Sequence, residues 1–200
     1  MPTTILRSAY RPPSYAVPHV DLHFALDTEA TLVSSRLTIQ RNPAADPGPL
    51  ILLGEDMELL DLKVNGRDPA AQSWRRTATG LEIDLTDETA MVEVRTRIAP
   101  AANTTLSGLY VSRGGLFTQC EAEGFRRITY FPDRPDVMSR YTVTLEADRT
   151  RYPVLLSNGN LIGSGDLAGG RHFARWEDPF PKPSYLFALV AADLKALERK

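Results

Sequence analysis

This sequence predicts an all-β chain folded as an antiparallel β-sandwich, and three observations predict it. Apolar and polar residues alternate with period two in run after run, the spacing that dries one face of a strand. About ten or more such runs follow one another at near-regular spacing. The 3.6-residue helical period is almost absent.

In chain order, Met1–Pro13 has no period and ends in a proline pair, so it reads as a tail ordered only where it enters the fold. From Ser14 to Asp27, Val20, Leu22, Phe24 and Leu26 alternate with more polar neighbours, a long strand with one dry face. Thr31–Gln40 repeats the pattern through Val33, Ser35, Leu37 and Ile39 and is its hairpin partner. Asn42–Pro49 is a loop by composition, and Leu50–Leu53 a short apolar strand. Leu60, Leu62 and Val64 lead into Asn65-Gly66, a two-residue hairpin signal. Leu81–Leu85 and Val92–Ile98 alternate again.

Leu109–Val111 and Leu116–Phe117 flank Arg113-Gly114-Gly115, a hairpin turn, and a charged run from Thr118 to Asp136 follows. Tyr141, Val143 and Leu145 mark the next strand. Val154–Ser157 and Leu161-Ile162 flank Asn158-Gly159-Asn160 as another hairpin. Arg171–Trp176 is strand-like, with His172, Ala174 and Trp176 on one face. Asp178–Pro183 is expected to be a rigid turn, since each proline fixes φ and withholds a donor. Ser184–Ala191 closes the series as a buried strand, and Ala192–Lys200 is the only helix-like piece.

Two hundred residues with 42% hydrophobic content are enough for one domain with a substantial core, or for two small ones. A formal charge of −2 with scattered Lys and Arg gives no electrostatic case for nucleic acid or an anionic membrane. The lone cysteine, Cys120, cannot form an intrachain disulfide and fits a reducing compartment. Met1–Arg11 has no apolar core of signal-peptide length, and no run approaches a membrane span. A cytoplasmic location is the expectation, and Asn103-Thr104-Thr105 is then a chance glycosylation triplet.

The charged run holds the candidate chemistry. A polar loop held between strands is where binding residues sit, because the strands fix what the loop exposes. Arg126, Arg127, Asp133, Arg134 and Asp136 are expected to pair with one another. Alternation puts Gln119 and Glu121 on one side of a strand end and Cys120 on the other, in the core, where a thiol is inert. His19, Asp21 and His23 share a strand face about 7 Å apart, too far to converge on one ion, and read as a solvated face. His172 stands alone beside Trp176. No Gly-rich phosphate loop and no Gly-x-Ser-x-Gly elbow occurs.

Gln119-Cys120-Glu121-Ala122-Glu123-Gly124-Phe125-Arg126-Arg127-Ile128-Thr129-Tyr130, followed by Asp133–Val137, resembles the N-terminal domain of M1-family zinc aminopeptidases, in the bacterial aminopeptidase N branch. Tyr152-Pro153, Leu155–Asn160, Trp176–Pro183 and Tyr185–Ala191 resemble it too, in the same order, so the likeness runs from about Tyr10 to Leu194.

The resemblance implies a saddle-like β-domain over 14–192, a tail over 1–13, and at 193–200 the start of a linker to a catalytic domain absent from this chain. Zinc would belong to that downstream domain. The His-Glu-x-x-His pair of ligands and the Gly-x-Met-Glu-Asn segment of the family do not occur here, so no catalytic or metal residue is expected in this fragment, which alone would be inactive. Carried over from the family, Gln119 and Glu121 line the first substrate pocket. Glu121 would accept hydrogen bonds from the free α-ammonium of the peptide, and Glu123 would lie at the surface or in support. Phe125, Tyr130 and Trp176 read as core or interdomain packing.

The implied partners are the downstream domain and a peptide with a free N-terminus. Two other readings stand beside this one. A free-standing β-sandwich could bind peptides or proteins, which requires no apolar patch at Phe125–Phe131 or Phe180–Pro183. A purely structural domain would make Glu121 a structural carboxylate.

Overall fold

Fourteen strands form three sheets around one hydrophobic core in the computed structural model, which describes residues 6–197. β1 (Tyr15–Ala25) and β2 (Thr31–Arg41) are the predicted hairpin, with Phe24 opposite Val33 and Val20 opposite Leu37. β3 (Leu50–Leu53), β4 (Glu58–Val64), β5 (Trp74–Thr77), β6 (Gly80–Ile83) and β7 (Thr89–Ile98) follow. β8 (Gly108–Ser112) and β9 (Gly115–Gln119) form the second hairpin. The chain ends with β10 (Ser139–Asp148), β11 (Val154–Ser157), β12 (Asn160–Asp166), β13 (Arg171–Lys182) and β14 (Leu189–Ala192).

The largest sheet runs β12-β13-β10-β1-β2-β7-β4. Its pairs are antiparallel except one: β1 and β10 run parallel, with Leu22 opposite Val143. A four-stranded sheet, β11-β14-β9-β8, and a three-stranded sheet, β3-β6-β5, complete the fold. Period-two alternation explains why these residues meet. Val20, Leu22 and Phe24 of β1 are fully buried, as are Leu116 of β9 and Leu52 of β3, all in the same core cluster. Each such side chain stabilises the fold by about 1.5–3 kcal/mol relative to exposure. Phe24 stacks on Phe187 at 6.1 Å between ring centroids, which joins the large sheet to the segment before β14.

Several sequence expectations need correction. Asn158-Gly159 does not close a hairpin: β11 pairs with β14 in one sheet, and β12 pairs with β13 in another. The chain crosses between layers there, tightly enough that a Cβ on Gly159 (φ +86°) would meet the Glu177 carbonyl oxygen at 2.1 Å. Backbone against backbone cannot be relieved by a rotamer change. Gly159→Ala should therefore lower the unfolding free energy by about 1–3 kcal/mol, read from the urea midpoint; an unchanged midpoint would refute the close crossing.

Asp178–Pro183 is not the rigid turn expected, since β13 continues to Lys182 with Tyr141 opposite Asp178 and Ser139 opposite Lys182. Pairing with β12 ends at Glu177, so Pro179 and Pro181 fall where one flank is open and a missing N–H is tolerated. Ser184–Ala191 is a 3-10 turn (Ser184–Leu186) before the short β14, not one strand. The helix-like reading of Ala192–Lys200 fails over 193–197, which has no regular structure, and its remainder lies outside the described residues.

Residues 1–5 lie outside the described part, whereas Arg7–Ala9 forms an exposed 3-10 turn. The Tyr10 hydroxyl donates to Asp136 at 2.9 Å, and Arg134 donates to the Arg11 carbonyl, so the tail is tied to the turn after Phe131.

Candidate functional site

The β8–β9 turn is set by Arg113 and Gly114, both at positive φ, the two-residue geometry that matches strand twist. β9 then delivers Gln119 at its last position, at one end of the four-stranded sheet. As alternation predicts, Cys120 turns inward and is buried, whereas Gln119 and Glu121 are both exposed. They are also linked directly, the Gln119 amide donating to the Glu121 carbonyl oxygen at 3.2 Å. The Glu121–Ala122 peptide bond is cis.

The loop is closed on itself. Gly124 N–H donates to the Cys120 carbonyl at 2.8 Å. A Cβ on Gly124 would sit 2.3 Å from the Gln119 carbonyl oxygen, so the backbone folds directly over the strand end. A 3-10 turn, Phe125–Arg127, follows and drives the Phe125 ring into the core. Burial, reinforced by the Asp133 carboxylate, pushes the Cys120 thiol well above its usual range. A thiol held neutral is a poor nucleophile, in keeping with a structural role.

The arginines pair only in part as expected. Arg126 Nε binds the Asp133 carboxylate at 3.0 Å, and Arg134 binds Asp136 through two hydrogen bonds. Arg127 departs from that set and takes Glu55 and Asp56, from the loop between β3 and β4. Glu123 pairs with Arg126 at 3.2 Å and is largely exposed. His19, Asp21 and His23 do not converge: His23 meets Glu146 at 2.7 Å, His19 meets Thr142 at 3.3 Å, and Asp21 lies 3.9 Å from Arg175. His172 is buried, with Nε2 2.8 Å from the Tyr152 carbonyl oxygen. Among the described residues no group of three or more His, Cys, Asp or Glu side chains is placed to hold a metal ion.

Two buried groups escaped the sequence reading. Ser184 donates to the Asp133 carboxylate from 51 residues away. Lys182 is buried, pairs with Asp178 and lies 4.3 Å from the Tyr141 ring centroid, and its ammonium is pushed below the usual lysine range by burial. The sequence reading placed Lys182 in the Asp178–Pro183 turn and Ser184 at the start of the final strand, and neither signalled a buried polar contact. Of the two patches that a free-standing module could not leave bare, Phe125 and Phe131 are fully buried, but Phe180 is 76% exposed.

Comparison with known proteins places these features in a family. The peptidase M1 N-terminal domain matches residues 12–186. Aminopeptidase N of Escherichia coli K12 is 46% identical over 196 residues, which are 98% of this chain and 22% of that protein. Aminopeptidase N of Caulobacter vibrioides is 48% identical over 199 residues, 100% of this chain and 23% of that one. Legionella pneumophila aminopeptidase A, solved in complex with aspartic acid, superimposes with a TM-score of 0.88 at 38% identity, over 94% of this chain and 22% of that chain. The chain thus spans less than a quarter of the length of these relatives. An M1 zinc metallopeptidase from Deinococcus radiodurans shares the fold at a TM-score of 0.76 and 18% identity. By sequence match and by fold, this chain belongs to the peptidase M1 N-terminal domain family.

Proposed function

We propose that this domain supplies the substrate α-amino-group contacts of a cytoplasmic zinc aminopeptidase and caps its active site. Glu121 accepts the free α-ammonium of the peptide, with Gln119 beside it, and a catalytic domain downstream in the same chain carries the zinc. Zinc held by that domain would supply an activated water for hydrolysis of the first peptide bond. The observation that carries this reading is the exposure of both Gln119 and Glu121 on an otherwise closed loop, with Cys120 buried in the core between them.

A carboxylate in open water pairs only weakly with an amine. Glu121 is exposed on this domain, so its selectivity requires a second surface that excludes water, and capping provides one. Under that cover an acylated N-terminus leaves the carboxylate unpaired, which is how an exopeptidase rejects it. The bare Phe180 supports docking to another surface, and the buried reduced cysteine fits a cytoplasmic location.

Glu121→Gln in the full-length enzyme should lower kcat/KM for aminoacyl substrates about 10- to 100-fold, the value of a charge-assisted hydrogen bond. Zinc content should be unchanged. Wild-type kinetics in that variant, with free amino termini still preferred over acetylated ones, would reject the assignment.

A further inference from the structure

The loop that carries Glu121 is held at both ends. Cys120 anchors the start in the core, and the far end is held by the Phe125 ring in the core and by one carboxylate, Asp133, whose side chain is 1% exposed. Its Oδ2 accepts the Arg126 backbone N–H at 3.1 Å and Arg126 Nε at 3.0 Å, and its Oδ1 accepts the Ser184 hydroxyl. Arg126 returns a hydrogen bond from Nη2 to the Asp133 carbonyl at 3.1 Å and reaches Glu123 at 3.2 Å. A single buried group therefore joins the substrate loop, the turn after Phe131 and the segment after β13.

Burying a carboxylate is a poor way to gain stability, because desolvation offsets the attraction of its partner, and an apolar residue of similar volume does as well. What several short directional bonds to one carboxylate supply is a fixed geometry. Between the two anchors lie only Glu121 to Phe125, and Gly124 folds that run back over Gln119 without room for a Cβ. Arg126 stands five positions from Glu121, directly after the buried Phe125.

We propose that Asp133 is the positioning residue of the α-amino site, setting the place of Glu121 and Gln119 through Arg126 and Ser184. The inference rests on the reading of Glu121 given above. Asp133 touches no substrate. Its amide replacement keeps the size but removes the negative charge and one of the two acceptor oxygens, so the charge-assisted bonds to Arg126 weaken whichever way the amide turns.

The test is steady-state kinetics on the full-length enzyme carrying Asp133→Asn, Ser184→Ala, Glu121→Gln and the double change Asp133→Asn with Glu121→Gln, beside thermal midpoints. Asp133→Asn should raise KM for an aminoacyl p-nitroanilide about 10-fold with kcat within about 2-fold, the pattern of lost uniform binding. Ser184→Ala, which keeps the ion pair, should raise KM about 3-fold, and it decides the matter if Asp133→Asn does not accumulate. Because Asp133 acts through Glu121, the double variant should be no worse than Glu121→Gln alone.

Lowered thermal midpoints with unchanged KM would make Asp133 merely structural and overturn the proposal, as would additive losses in the double variant. A Glu121→Gln enzyme with wild-type KM is a different failure, since it removes the α-amino reading and this inference with it.

Discussion

Phe125→Ala should lower the unfolding free energy of this domain by about 3–5 kcal/mol, the cost of emptying a filled aromatic site. Phe125 is fully buried, and its ring meets Phe131 at 5.1 Å, Phe187 at 5.2 Å and Tyr141 at 6.2 Å between centroids, each edge-on. Such pairs add about 0.5–1.5 kcal/mol each beyond area burial. The three neighbours come from the turn before β10, from β10 itself and from the segment before β14, so truncation leaves a void lined from three directions. No single element can collapse into it. Phe180→Ala is the contrast: that ring is 76% exposed, and its loss should move stability by no more than about 0.5 kcal/mol. Urea unfolding of both variants checks the pair, and a cost below about 1.5 kcal/mol at Phe125 would mean that the cluster adapts.

The second large effect is a loss of stability at alkaline pH, traceable to Cys120. Burial first, and then the Asp133 carboxylate, raise its thiol above the usual range. The folded chain thus keeps a proton that the unfolded chain releases near pH 8.5. Stability from this group is fully present below that value and is lost as pH rises towards the folded one. By pH 10.5, two units above the ordinary thiol, the loss is about 2.7 kcal/mol.

Tyr141, raised mainly by burial, acts in the same sense above the ordinary phenol value. Lys182, lowered mainly by burial, acts in the opposite sense: the unfolded chain binds the proton more readily, so that contribution grows as pH rises through the window below the ordinary lysine value. Cys120→Ala isolates the thiol. Its stability deficit relative to the native sequence should shrink by about 2–3 kcal/mol between pH 7 and pH 10.5 in urea titrations. A constant deficit would show that the folded thiol titrates like a free one.

Alternation made the long strands legible, because β1, β2, β7 and β10 each bury one face against the same core. Turn residues were legible only as turns. Asn65 and Gly66 both adopt positive φ as their sequence predicts, and Val64 does bridge Arg67, yet β4 finds its main partner in β7. A two-residue signal fixes the local backbone, whereas the choice of partner strand is made by burial across the sheet. Asn158-Gly159 misled for the same reason. β5 escaped notice because Trp74-Arg75-Arg76-Thr77 has no dry face: both arginines are exposed on the edge of the three-stranded sheet. At the site, the exposed–buried–exposed order of Gln119, Cys120 and Glu121 matches period two, although β9 ends at Gln119 and Glu121 already lies in the turn. The clamp on Asp133 does not, because Ser184 is brought to it by tertiary packing across 51 residues.

The parallel pairing of β1 with β10 has a consequence for the order of events as the polypeptide leaves the ribosome. β2, β7 and β4 can assemble on β1 as soon as they emerge, but the other flank of β1 stays open until β10 is made, more than a hundred residues later. Closing so long a loop is slow. Meanwhile an 11-residue edge carrying Val20, Leu22 and Phe24 can recruit any passing strand. A nascent chain paused before Ser139 is therefore half a sheet with its most apolar strand at the rim. The rate of elongation through 100–140 governs how long that rim is exposed to other chains.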